Sequence, residues 1–311
     1  PLSLSSILIL SFSIPLFLSL CLPLSIFFYS IFISLSLPHH SSNPIATRQA
    51  SMTSLVRPLE IFTKAATRSS CVWLDALTSH TGERPCWEWM WNDAVNRISN
   101  EDSAIRIIDR VRQKKLRSPS LICGDISRLD EATKKFYTDE KCHFTQASDE
   151  WRTRLAAILE NIAQMEPLAG TGVRPPSTLI LGGLSGRIDR TMATLHSLMP
   201  THSNALAAPS FVLDGENLVC VLPKGTHRLQ MGPRTQLTDI CGIIPLSQDE
   251  TRVTTKGFRW DLKDALLAFG HIISTSNELA KDEVEITTSA PVLFSIELLN
   301  SLTGLKKPPS E

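Results

Sequence analysis

Gly182, Gly183, Gly186, Arg187 and Asp189 fall within one short stretch of this chain. The glycines follow a short apolar run, Thr178–Leu181, and precede a stretch with Met192, Leu195, Leu198 and Met199 at three- and four-residue spacing. That pattern is a strand, a tight turn and a helix. A glycine-rich turn of this kind lets backbone N–H groups approach an anion, and the helix N-terminus adds partial positive charge. Arg187 offers a guanidinium to a phosphate, and Asp189 places a carboxylate in the first helical turn. The same spacing equally suits a turn with no ligand, in which Arg187 and Asp189 pair with each other. A further acid, Asp125, follows the short apolar run Ser120–Cys123 through Gly124. A carboxylate just past a strand end lies where α/β folds place ligands, although a helix N-cap has the same signature.

These groups need elements to hold them, and the 311 residues leave room for two domains. Lys and Arg total 31 and Asp and Glu total 31, so charge gives no case for a nucleic-acid or polyanion partner. Cys21, Cys71, Cys86, Cys123, Cys142, Cys220 and Cys241 are scattered, odd in number and without a C-x-x-C pair. That usage fits the reduced thiols of a cytoplasmic protein better than a disulfide framework or a zinc site. Pro1–Leu37 is almost wholly Leu, Ser, Ile, Phe and Pro, and no charge occurs before Arg48. Its length suits a membrane span, but Pro15 and Pro23 interrupt it and no basic residue precedes it. Residues 1–51 are therefore read as a low-complexity apolar leader outside the fold, with Met52 a natural start. A membrane partner is expected only if that leader is genuine.

From Met52 to Glu88 the pattern gives only short apolar clusters. Trp87, Trp89 and Trp91, at i, i+2 and i+4, would line one face of a strand as a buried packing cluster. Glu101–Lys115 carries Ala104, Ile107, Ile108 and Val111 at helical spacing behind Asn100 as N-cap. Leu129–Thr138 reads as a helix, Cys142–Thr145 as a strand, and Glu150–Met165 as a second amphipathic helix. After Pro200 the texture changes to short, often β-branched runs: Phe211–Leu213, Leu218–Leu222, His227–Met231, Ile240–Pro245, Arg252–Thr255, Glu285–Thr288 and Val292–Glu297. Asp214–Asn217 is a hairpin signal, and short strands at this spacing imply a β-sandwich or barrel. The boundary is expected near Pro200–Ala208.

The C-terminal half carries a series of ordered blocks. They are Leu179–Leu198 (LILGGLSGRIDRTMATLHSL), Phe211–Met231 (FVLDGENLVCVLPKGTHRLQM), Cys241–Pro245, Val253–Trp260, Leu267–Gly270 and Ser274–Asn277. Together they resemble the thiamine pyrophosphokinase (thiamine diphosphokinase) family, its fungal members most closely, over about Ser177–Leu298. The resemblance implies a Rossmann-like α/β nucleotide domain, residues 52–202, followed by an all-β sandwich domain for thiamine, residues 203–311. It implies a homodimer with its sites at the subunit interface. The implied reaction is attack of thiamine's hydroxyl on the β-phosphorus of ATP, giving thiamine diphosphate and AMP. ATP is then the co-substrate and Mg²⁺ the cofactor. Such a reaction needs cations and N–H donors for the anionic groups, and an aromatic face for the thiamine cation.

By the same resemblance Asp125, Asp149 and Arg187 are catalytic, and Asp125 and Asp149 hold the metal. Gly182, Gly183, Gly186, Arg187, Asp189 and Thr153 bind the nucleotide. Trp260, Thr255, Ser274, Ser276 and Asn277 take thiamine. The acidic motifs of the N-terminal half depart from the family pattern. Its Ala-Asp-Gly-Gly-Ala-Asn-Arg segment, laid on Trp91–Arg97, finds Asn92 in place of the acid and matches Asn96 and Arg97. Its Gly-Asp-x-Asp-Ser segment has Ser127 for the second acid after Gly124-Asp125. Its Asp-Gln-x-x-Thr-Asp segment keeps Asp149 and Thr153 but ends in Arg154. The alternative to an active enzyme is a catalytically impaired paralogue acting as a thiamine- or nucleotide-binding regulatory subunit.

Overall fold

The computed structural model describes residues 53–62, 70–75, 85–147, 152–165, 177–199, 209–232 and 234–299. The leader 1–51, the candidate ligand Asp149 and the boundary segment Pro200–Ala208 lie outside the described residues. In chain order the first elements are β1 (Ser54–Val56), β2 (Ser70–Asp75), α1 (Pro85–Asp93), β3 (Asn96–Ser99), α2 (Glu101–Arg112), β4 (Leu121–Gly124), α3 (Glu131–Asp139) and β5 (His143–Gln146). Next come α4 (Arg154–Gln164), β6 (Thr178–Gly182), α5 (Ile188–Ser197) and β7 (Ser210–Asp214). The remainder is all β: β8 (Asn217–Leu222), β9 (Gly225–Gln230), β10 (Leu237–Pro245), β11 (Thr251–Lys256), β12 (Ala265–Leu267), β13 (Ser274–Glu278), β14 (Glu283–Thr288) and β15 (Val292–Leu298).

Strands β2 to β7 pair in parallel in the order β7-β6-β2-β3-β4-β5. Their residues are apolar on both faces, as a sheet covered by helices requires. Val72, Ile98, Ile122, Ile180 and Val212 are fully buried at its centre. The chain reverses direction at β2: β3, β4 and β5 build out on one side, β6 and β7 on the other. In an open parallel sheet, the crevice beyond the C-terminal strand ends at such a reversal takes ligands. Asn100 fixes the start of α2 by accepting from Ser103 N at 2.7 Å while donating to Leu74 O at 3.1 Å. The helix over Glu150–Met165 begins later than its periodicity suggests, at Arg154, because Thr153 caps it.

The three tryptophans lie on a helix, α1, and not on a strand. Pro85 suits a first helical position, where its missing N–H is not needed. The i, i+4 spacing then puts Trp87 and Trp91 on one face. Both meet Trp73 of β2 edge-on, at 5.8 and 5.5 Å between ring centres. The expected packing cluster is present, but at helical period. The six described cysteines are buried and form no disulfide among the described residues.

Beyond β7 the same sheet continues antiparallel through β8, β15, β10 and β13. A second sheet, β1-β9-β14-β11-β12, faces it. Leu229, Val253, Val284 and Ile286 of the second sheet share a core with Cys220, Ile243, Phe294 and Ile296 of the first. Burial alternates along β11 and β14, as in a sandwich with one solvated face. The fold is thus an α/β layer followed by a β-sandwich, joined through one ten-stranded sheet. Among the described residues no helix is long and apolar enough to cross a membrane.

Candidate active site

The C-terminal ends of β3 and β4 carry acids and arginines. Glu101 is the first residue of α2 and is 0 % exposed. Its Oε1 accepts from Arg128 Nη1 at 3.1 Å and also from Arg154 Nε. Its Oε2 is buried without a hydrogen-bond partner. The carboxylate reaches this place because Gly124 leaves it room: a Cβ there would stand 2.0 Å from Glu101 Oε2. Asp102 takes Arg128 Nη2 at 2.9 Å. Asp125, the residue after β4, caps a short 3-10 turn and accepts from Ser127 N at 3.2 Å and Ser127 Oγ at 2.6 Å. The Ser127 hydroxyl holds this half-buried carboxyl below the usual carboxylate range. Ser127, in the position of a family acid, thus donates to the acid that remains.

The turn after β6 is the second part. Gly183 has φ +102°, and a Cβ on it would lie 3.0 Å from Thr194 Oγ1 of α5. Gly182 and Gly186 share the positive-φ conformation. Leu184 N is tied to the buried Asp214 Oδ2 at 2.8 Å, which anchors the loop to β7. Arg187 precedes α5 without capping it, and pairs with Asp189 through both Nε, at 3.0 Å, and Nη2. This exposed pairing raises the arginine's pKa and lowers the carboxyl's. Thr153 caps α4: its Oγ1 accepts from Ala156 N at 3.1 Å and meets Ser197 Oγ of α5.

The third part is the turn between β11 and β12. Asp261 accepts from Phe258 N at 3.1 Å and Gly257 N at 3.3 Å, while Thr255 Oγ1 donates to it at 3.1 Å and accepts from Leu262 N at 2.8 Å. Asn277 of β13 clamps the turn's tip, accepting from Trp260 N at 3.2 Å and donating to Trp260 O at 2.9 Å. Ser274 Oγ stands 3.4 Å from Asn277 Nδ2. Ser276 is exposed on the same strand with φ +54°. The clamped Trp260 is 52 % exposed, and Arg259 stands over its ring at 4.7 Å. Thr255 and Asn277 therefore act as buried supports for the aromatic platform.

These groups do not all meet within one chain. Glu101, Asp125 and the glycine turn share the C-terminal edge of the parallel strands. The Trp260 turn is fastened to β13, five strand steps from β6, or roughly 24 Å at sheet spacing. Asn92, Asn96 and Arg97 lie at the opposite edge. Asn92 bonds the backbone at Lys115 and Arg117, Asn96 bonds Ser70, and Arg97 bonds Ala94 O at 2.7 Å and Ser118 O at 3.0 Å. A hollow of about 660 Å³ opens there, with Arg97, Arg112, Lys114, Arg117 and Lys141 in its lining. Lys114 and Lys141 follow the C-termini of α2 and α3, where positive charge complements the helix dipoles.

Sequence reading thus missed Glu101. Its signal was present: Asn100-Glu101-Asp102-Ser103 is an N-cap followed by acids. Laid on Asn100–Arg106 instead, the family's Ala-Asp-Gly-Gly-Ala-Asn-Arg segment meets an acid at Glu101 and matches Ala104 and Arg106.

Two family models match the chain. "Thiamin pyrophosphokinase, catalytic domain" covers residues 87–208, and "Thiamin pyrophosphokinase, vitamin B1 binding domain" covers residues 226–293. Thiamin pyrophosphokinase 1 of Caenorhabditis elegans is 32 % identical over 249 residues, spanning 80 % of this chain and 97 % of that protein. The Saccharomyces cerevisiae thiamine pyrophosphokinase is 21 % identical over 261 residues, 69 % of this chain and 81 % of its own length. The crystal structure of yeast thiamin pyrophosphokinase shares the fold with a TM-score of 0.66 at 19 % identity, covering 82 % of this chain and 94 % of that one. On the two matched domains and the nematode relative, the chain belongs to the thiamin pyrophosphokinase family.

Proposed function

We propose that this chain transfers the pyrophosphate of ATP to the hydroxyl of thiamine, releasing thiamine diphosphate and AMP. One observation carries the reading: each family match coincides with one half of the chemistry. The catalytic-domain match holds the acids, arginines and glycine turn at the sheet's ligand edge. The vitamin B1 match holds the clamped, exposed Trp260. In this reading residues 52–202 bind ATP and residues 203–311 bind thiamine, in the cytoplasm.

The N–H groups around Gly182, Gly183 and Gly186 and the N-terminus of α5 receive the phosphates. Arg187, exposed and only paired with Asp189, turns to the transferred group and stabilises its charge. Thr153 and Asp189 set the positions of α4 and Arg187. Trp260 supplies a face for the cationic thiazolium, with Thr255 and Asn277 holding its turn and Ser274 and Ser276 beside it.

The donor set suits Mg²⁺ that arrives on the nucleotide. The orphan oxygen of Glu101 and the half-buried Asp125 are hard oxygen donors, with Asp149 as a third, and such ions commonly bind through one or two carboxylates plus phosphate. When bound, the ion neutralises phosphate charge. We also place the working site between two copies of the chain. The strand distance between Trp260 and the glycine turn is longer than thiamine itself. Ile188 and Met192 beside the turn, and Phe269, Ile272 and Ile273 near the Trp260 turn, are exposed and apolar, as surfaces covered by a second copy would be. Incubating the protein with Mg²⁺, ATP and thiamine and separating the products tests the reaction. AMP and thiamine diphosphate in equal amounts are expected. Thiamine binding without either product would favour a non-catalytic role.

A further inference from the structure

The residue at the family's third acidic position is a cation, and it is already placed on an acid. Arg154 is the first residue of the eleven-residue helix α4, and Glu101 is the first of the twelve-residue helix α2. Two guanidiniums therefore converge on one buried carboxylate at the N-terminus of α2. Both guanidiniums use the same oxygen, Oε1. Among the described residues Arg154 makes its hydrogen bond through Nε, and its side chain is 42 % exposed. The fork of its terminal nitrogens is the part of an arginine that fits a phosphate bidentately. An excess of positive charge around one carboxylate suits an arriving anion.

We propose that Arg154, held on Glu101 beside Arg128, forms a built-in phosphate clamp that carries part of the charge neutralisation otherwise left to divalent metal. ATP then binds this chain without Mg²⁺. This inference rests on the reading of the site as an ATP site. Glu101 holds the clamp in place while the site is free, and phosphate draws the guanidinium fork toward itself. Arg154 keeps its Nε bond to Glu101 and is thereby aimed.

Calorimetric titration of the full chain with ATP, in Mg²⁺ and separately in EDTA, tests this. The wild type is expected to bind in EDTA within about tenfold of its affinity in Mg²⁺. Arg154→Ala should weaken binding in EDTA by about tenfold or more, the loss of a charge-assisted bidentate contact, and leave thiamine binding unchanged. Arg154→Lys, which keeps the charge without the fork, should fall between them. Circular dichroism confirms that each variant is folded. Binding in Mg²⁺ but not in EDTA, or an Arg154→Ala affinity in EDTA equal to the wild type's, overturns the clamp and leaves the ATP reading intact. Absence of nucleotide binding under both conditions overturns both.

Discussion

At the scale of single residues, the candidate site depends on one acid that has no water to face. Glu101 is buried because Arg128 and Arg154 neutralise it and because Gly124 has no side chain. Gly124→Ala would place a methyl group into its carboxylate and displace it from both guanidiniums. A loss of about 1–3 kcal/mol in urea unfolding is expected, as for other overpacked interiors. The double variant Gly124→Ala, Glu101→Ala should lose less than the sum of the single changes, since both act on one contact. Sequence revealed Asp125, Arg187 and Asp189 as candidates because each follows a recognisable strand end or turn. It could not reveal Glu101 as a buried acid, since its partners lie 27 and 53 residues away in the chain. Nor could it separate Trp260 as platform from Thr255 and Asn277 as supports, which only their hydrogen bonds distinguish.

At the scale of elements, helices α2 to α5 and most sandwich strands were legible from apolar spacing and caps. β2 was not. Its apolar core is short, and its place at the sheet centre follows from partners on both sides, β3 and β6. The tryptophan helix was misread because i, i+2, i+4 contains both a strand period and a helical one. Only contact with Trp73 shows that the i, i+4 pair is the buried one. Trp91 fills this seam and donates from Nε1 to Arg117 O at 2.8 Å. Trp91→Ala should cost about 3–5 kcal/mol, as for other large core truncations, and Trp91→Phe distinctly less. His227 links β9 to β1: the Pro223 carbonyl can only accept, so Nε2 donates to it and Nδ1 accepts from the Ser54 hydroxyl. Burial holds this imidazole below its ordinary value. The unfolded chain therefore takes up the proton first as pH falls. The stability contributed by neutral His227 is full above about pH 6.5 and is lost as pH drops below it, until the folded imidazole titrates. Thermal melts between pH 8 and 5 are expected to show this decline, and His227→Gln should flatten it.

At the scale of the whole molecule, the proposed nucleotide edge lies on the ten-stranded sheet, and the proposed thiamine platform lies on a turn of the second sheet fastened to β13. If two copies complete each other's sites, inactive Arg187→Ala and Trp260→Ala chains should complement. After co-refolding, half the dimers are mixed and each carries one intact site, so activity should recover to about a quarter of wild type. No recovery from a mixture shown to exchange subunits would place both residues in one chain's site. The most direct measurement is the fate of the middle phosphate. With ATP labelled at the β-phosphorus, the label is expected in thiamine diphosphate, with unlabelled AMP released in equal amount. Label recovered as ADP, or no label on thiamine despite bound thiamine and ATP, would contradict pyrophosphate transfer by this chain.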